Sequence, residues 1–223
     1  MSDPELTLIY FNGRGLAETS RILLALAQVD YVDQRYPFEI IDPVNHIYVR
    51  NEFDQDKKAG KFDKSMGKLP ILKINEGGHI TEIPQSKTIE RYISKRYGLM
   101  GNNLLEEAKI DAVCECIRDI KDRYQKIKSN ENEKEMYVSQ TIYTEFSDLV
   151  KVLDSYSKYA IGNKLSLADV SIYCLVTQFY EGVANDAAKN TASNIAKLRD
   201  IVIRVASRPE VRVYLSDRVQ TLF

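Results

Sequence analysis

The 223-residue sequence predicts an α/β domain built on one sheet of about four strands, followed by an all-helical domain. Three observations point to this. The first third of the chain switches from a short apolar run to a helical repeat and back to an alternating run. Two apolar segments, Leu69–Ile74 and His79–Ile83, flank the turn sequence Asn75-Glu76-Gly77-Gly78 and read as a hairpin. Beyond about residue 104 the apolar residues recur only at helical spacing.

Taken in order, Leu6–Phe11 is a short, largely buried strand. Residues Gly15–Val29 carry apolar side chains at 16, 22, 23, 26 and 29, a helical spacing. Tyr31–Arg35 alternates and reads as a second strand, so the strand–helix–strand order implies a right-handed crossover and a parallel pair. Residues 37–66 read as irregular and charged, with Asp42-Pro43 and a lysine-rich stretch from Asp56 to Lys64. After the hairpin, Pro84-Gln85-Ser86 opens a helix to about Tyr97. The span Gly98–Asn103 reads as a linker, giving domains of 1–97 and 104–223.

In the second domain Ile110, Val113, Cys114 and Ile117 follow one helical stripe, and Phe146, Leu149, Val150 and Leu153 another. Ser166-Leu167-Ala168-Asp169 has the form of a capping box. The run Val170–Tyr180 that follows is apolar nearly all round, so it is expected at the buried centre of the helices. Ile195–Ala206 is a further helix, with Pro209 marking its end.

Composition narrows the function. With 31 basic and 32 acidic residues the net charge is −1, which gives no general attraction to nucleic acid or anionic membranes. No apolar run reaches the roughly 18 residues that span a bilayer, and the N-terminus lacks a signal-peptide pattern. Three cysteines without regular spacing fit a reducing, cytoplasmic setting rather than a disulfide framework. Cys114-Glu115-Cys116 has no histidine nearby in sequence, so free thiols on a helix are expected there and no metal.

Three features of the first domain suit one ligand. Tyr10 ends the first strand and can donate a hydrogen bond. Leu69-Pro70 begins another strand; a cis bond there would free the Leu69 backbone to pair with an extended peptide. Gln85-Ser86 opens a helix, where backbone N–H groups, the helix dipole and a hydroxyl favour a carboxylate. A donor, a free backbone edge and an anion site together fit a small acidic peptide. Each feature alone also has an ordinary structural explanation as packing, turn or cap.

The segments YFNGRGLAE, GKLPILKI, PQSKTIERYI, NKLSLADVSIY and SRPEVRVYL, in this order and spacing, resemble the cytosolic glutathione S-transferases over nearly the whole chain. The similarity is greatest to the sigma class and related apicomplexan enzymes. It implies a thioredoxin-like domain followed by a helical bundle, a cytoplasmic homodimer, and glutathione as co-substrate in detoxification. It implies further that Tyr10 bonds the glutathione sulfur, that Leu69 pairs with its cysteinyl part before the cis Pro70, and that Gln85 and Ser86 hold the γ-glutamyl end. Lys68 stands where the family often has Lys or Gln. Asp111 resembles the acidic residue that reaches the γ-glutamyl amine across a dimer interface. Lys61 and Phe53 are candidates for the glycyl carboxylate.

Two departures are evident. Leu16 stands where sigma members often carry Arg or Lys, and the 38–66 segment is longer than usual and lacks the family's tryptophan. Lys87, at a position that is often small or apolar, is expected to be exposed. The resemblance places an apolar electrophile between the domains, against Phe11, Gly15 and Leu16 on one side and Ile117 and Tyr124 on the other. It also leaves room for other roles: a non-catalytic carrier of haem or hydrophobic ligands, a glutathione-dependent prostaglandin isomerase, or a structural protein such as a lens crystallin.

Overall fold

The computed structural model describes residues 4–42 and 47–221; Pro43 and His46 lie outside the described residues, as does the side chain of Ile47. The chain divides into two compact units, residues 1–93 with 219–223, and residues 94–218.

The first unit is built on a four-stranded sheet in the order β2 (Tyr31–Tyr36), β1 (Glu5–Phe11), β5 (Ile71–Glu76), β6 (His79–Pro84). Strand β1 (Glu5–Phe11) buries Leu6, Leu8 and Ile9 almost completely. A tight turn at Gly15–Ala17 leads into helix α1 (Glu18–Leu26), which is shorter than the helical spacing suggested because its first turn is spent on that bend. Strand β2 (Tyr31–Tyr36) returns parallel to β1, as the crossover rule requires, with Tyr10 opposite Arg35. Strands β5 (Ile71–Glu76) and β6 (His79–Pro84) form the hairpin, and β5 runs antiparallel to β1. Helix α3 (Ser86–Arg96) follows directly.

The 37–66 stretch is not irregular. It holds a two-stranded ladder of β3 (Glu39–Asp42) and β4 (Ile47–Val49), then helix α2 (Asn51–Lys58). The helix is almost wholly polar and is held by a single buried side chain, Phe53, so periodicity had little to detect. Phe53 stacks on Phe62, with ring centroids 5.1 Å apart at 19°, and meets Tyr36 edge-on. With Ile9, Leu69 and Ile71 these rings form one apolar cluster, against which Tyr10 and Phe11 pack. Burying three aromatic rings in this way gives this charged stretch its core.

The second unit is helical. Helix α4 (Leu104–Ile127) is capped by the Asn103 side chain, which accepts from the N–H groups of Leu105 and Glu106 at 3.0 Å. Gly101, with φ +91°, makes the bend before it; a Cβ there would lie 2.8 Å from the Glu106 Cβ. Helices α5 (Glu131–Met136) and α6 (Ile142–Lys151) follow, joined by a π-helical turn at Tyr137–Thr141. Helix α7 (Leu167–Cys174) has all eight residues buried and packs on α4 and on α9 (Ala196–Ala206), so the expected central helix is central. It runs on through a second π-helical turn, Leu175–Phe179, to α8 (Gly182–Asn194).

Pro209 does not simply end a helix. It is the first residue of α10 (Pro209–Asp217), a position where its missing N–H costs nothing. Among the described residues no helix is long and apolar enough to cross a membrane.

Candidate functional site

Register alone gathers the three expected features. Ile9 of β1 pairs with Ile71 of β5, and Ile71 pairs with Pro84 of β6. Continuing both ladders by one residue sets Tyr10 beside Pro70, and Pro70 beside Gln85. The phenol, the Leu69-Pro70 step and the α3 N-terminus therefore share one end of the sheet. The Leu69-Pro70 bond is cis, and Leu69 precedes the first ladder residue of β5, so its backbone lies outside the β1–β5 pairing. Gln85 is exposed and takes a left-handed conformation, φ 73°, immediately before the half-buried Ser86 that begins α3.

At Tyr10 the phenol turns back over its own loop. Its hydroxyl oxygen accepts the Leu16 N–H at 3.1 Å, and this is its one hydrogen bond among the described residues. Gly15 makes the approach possible. Its φ is +39°, and a Cβ there would lie 2.5 Å from the phenol oxygen. An oxygen that accepts a backbone N–H keeps its own proton for an outside acceptor. Burial raises the phenol's pKa above its ordinary value, opposed by the Leu16 hydrogen bond and by Arg21, so the O–H stays protonated at neutral pH.

The loop is fixed from behind by groups that spacing did not reveal. Arg21 of α1 is fully buried. It donates to the Gly13 carbonyl at 2.6 Å and, through Nε and Nη2, to the Asp33 carboxylate at 3.1 and 3.2 Å. Asp33 also holds Arg35, whose Nη1 reaches the Asn12 side chain at 3.3 Å. The available signal was an arginine beside the apolar run Ile22–Leu24 and a lone carboxylate in β2.

The remaining candidates are distributed as follows. Phe11 is half-buried and packs on Phe38 and Phe53, while Gly15 and Leu16 are exposed. Phe53, a candidate for the glycyl carboxylate, has its side chain buried in the core. Lys61 is exposed, but its ammonium is held by Asp56 at 2.7 Å, and Asp56 also accepts the Tyr36 hydroxyl at 2.6 Å. Burial, with that bond, pushes the Tyr36 phenol up to about 12. Lys68 is exposed. Lys87 is not a free surface residue: it pairs at 2.8 Å with Glu90, which is buried.

Asp111 lies half-buried on α4, in the helical unit. Ile117 and Tyr124, on the same helix, are buried, and the Tyr124 ring packs on Tyr137, Phe179 and Tyr180. Cys114 is buried with its sulfur 3.6 Å from the Ser171 hydroxyl, and none of the three cysteines is in a disulfide.

Comparison with known proteins gives the following similarities. A family model described as "Glutathione S-transferase, C-terminal domain" matches residues 111–218. S-crystallin SL20-1 of Nototodarus sloanii is 27% identical over 243 residues, covering 98% of this chain and 99% of that protein. The class-mu 28 kDa glutathione S-transferase isozyme of Schistosoma haematobium is 28% identical over 230 residues, covering all of both. A sigma class GST of Fasciola hepatica superposes over 100% of both chains with a TM-score of 0.76; at 20% identity this speaks for the fold. Residues 111–218 thus match the C-terminal domain of the glutathione S-transferases, and the chain as a whole shares their fold and is similar to them over its length.

Proposed function

We propose that this chain conjugates the thiolate of glutathione to hydrophobic electrophiles, with Tyr10 activating the thiol. The observation that carries the reading is the Tyr10 hydroxyl, which accepts from Leu16 and so keeps its proton for a ligand. A free thiol has a pKa near 8.5 and is mostly protonated at neutral pH. A hydrogen bond donated to the sulfur favours the anion, which is the nucleophile. Each pKa unit gained corresponds to about 1.4 kcal/mol of preference for the thiolate. The phenol must stay protonated to do this, and its raised pKa supports that role.

The rest of glutathione has partners at the same end of the sheet. The Leu69 backbone would pair with the cysteinyl unit next to Pro70. Gln85, Ser86 and the start of α3 would take the γ-glutamyl carboxylate, with Asp111 of a second subunit on its amine. Lys68 and Lys61 stand on the stretch that would meet the glycyl carboxylate. Phe11, Gly15 and Leu16 offer apolar surface beside the phenol for the electrophile, which burial rather than directed hydrogen bonds would hold. Cysteines without disulfides fit a cytoplasmic setting, and the similarity to glutathione S-transferases, one of them of sigma class, supports reading the chain as a detoxifying homodimer of sigma type.

The similarity to S-crystallins favours a second reading, a protein retained for structure or ligand carriage rather than turnover. Glutathione-dependent conversion of a chlorinated nitrobenzene, measured with and without haemin, separates the two. Turnover is expected. Tight haemin binding without turnover would place the chain among carriers.

A further inference from the structure

Arg21 ranks first among the largest fully buried side chains, and the chemistry proposed at Tyr10 makes no use of it. Its guanidinium joins three separate stretches of the sheet unit. One nitrogen holds the Gly13 carbonyl at 2.6 Å, in the turn between β1 and α1. Two others grip Asp33 of β2 at 3.1 and 3.2 Å, and Glu18 lies 3.8 Å away. Its central carbon lies 6.0 Å from the centre of the Tyr10 ring.

A buried cation is costly unless paired and hydrogen-bonded. Apolar side chains of similar total volume would fill the same space without that cost. The guanidinium therefore points to a task, and the geometry shows one. Gly13 is two residues before Gly15 and three before Leu16, the residue whose N–H reaches the phenol. The turn already approaches so closely that a Cβ on Gly15 would overlap the hydroxyl. An N–H···O contact at 3.1 Å is lost if the turn moves away by about half an ångström or its angle falls much below about 120°. Asp33 cannot drift either, because Arg35 holds it from the other side at 2.7 Å.

We propose that Arg21 is a positioning residue for Tyr10, clamping the Gly13 carbonyl and Asp33 so that the Leu16 amide stays aimed at the phenol oxygen. This rests on the Tyr10 reading given above. Its fixed charge also favours negative charge at the phenol, in the same sense as the Leu16 hydrogen bond.

The test is the pKa of bound glutathione, read from the pH dependence of its ultraviolet thiolate band. It is measured in Arg21→Gln and Arg21→Lys, each with Tyr10 and with Tyr10→Phe. Arg21→Gln is expected to raise the thiol pKa by about half a unit to one unit, a three- to tenfold loss of kcat/KM at neutral pH. Arg21→Lys keeps the charge but not the fork, and should shift it less. On the Tyr10→Phe background neither substitution should shift it further, since the path runs through the phenol.

Shifts that add fully on that background would overturn the positioning role. So would a shift in Tyr10→Phe with none in the Arg21 variants. No shift in Tyr10→Phe itself would overturn the activation reading and the positioning role with it. Should Arg21→Gln fail to fold, Asp33→Asn carries the same test: it releases one side of the clamp and must move the thiol pKa only when Tyr10 is present.

Discussion

At Tyr10 a single hydroxyl accepts an internal amide and keeps its own proton, which the proposed function gives to a ligand. The sequence singles the phenol out as a candidate, because a tyrosine ends an apolar strand before a glycine-rich turn, although packing alone would also account for it there. Arg21 was not legible, since nothing local says that an arginine in a helix will turn inward. Its meaning depends on Gly13 and Asp33, which the fold brings together. The same holds in the helical unit. Buried Glu145 accepts the Tyr137 hydroxyl and pairs with Arg123, while the Tyr137 and Tyr180 hydroxyls lie 2.9 Å apart. Burial raises the Glu145 carboxyl above its ordinary value, outweighing the hydrogen bonds that lower it. A raised folded-state pKa means that the folded chain binds this proton more tightly than the unfolded chain. The stabilisation is complete below the unfolded value of about 4.3 and is lost as pH rises through the folded value. Denaturant unfolding of the native protein and Glu145→Gln, compared between about pH 4 and pH 8, should show the native protein gaining relative stability at the acid end. A difference independent of pH would show that Glu145 does not titrate in this way.

Among the elements, those with strong periodicity or distinctive end signals were legible, and those held by one or two side chains were not. The β1–α1–β2 crossover, the β5–β6 hairpin and α7 followed from alternation, turn chemistry and a capping motif. Helix α2 was hidden because Phe53 is its single buried residue. The start of α10 was hidden because a proline can end one helix or begin the next, and only the packing of Val211 decides which. The α7 N-terminus is the firmest case. The Asp169 carboxylate accepts the Ser166 N–H and the Ser166 hydroxyl at 2.9 Å, and the Ala160 N–H at 2.8 Å. Ser166→Ala removes one of these donors at a buried carboxylate, and such caps contribute about 0.5–2 kcal/mol. The expected loss in thermal midpoint is about 2–4 °C per kcal/mol for a chain of this size. Unchanged unfolding would reject the cap as a source of stability, while conjugation kinetics should not move in either case.

For the whole molecule the strongest expectation beyond a single chain concerns Asp111. If its carboxylate serves the γ-glutamyl amine of a neighbouring subunit, Asp111→Ala should weaken glutathione binding several-fold and leave the bound thiol's pKa unshifted. Dilution of the native protein to monomer should then weaken binding in the same way. Sedimentation and calorimetry across a concentration series would check this, and a monomer with full affinity would contradict it.

The central claim, that this chain works by making glutathione a thiolate at Tyr10, is tested most directly by the pH profile of conjugation in the native protein and in Tyr10→Phe. The two rings have nearly the same shape, so the fold and the glutathione contacts should survive. At neutral pH kcat/KM should fall about ten- to a hundredfold, the equivalent of one to two pKa units, and rise again as alkali removes the thiol proton. Equal rates at neutral pH in both proteins would contradict the account and leave Tyr10 as a packing residue.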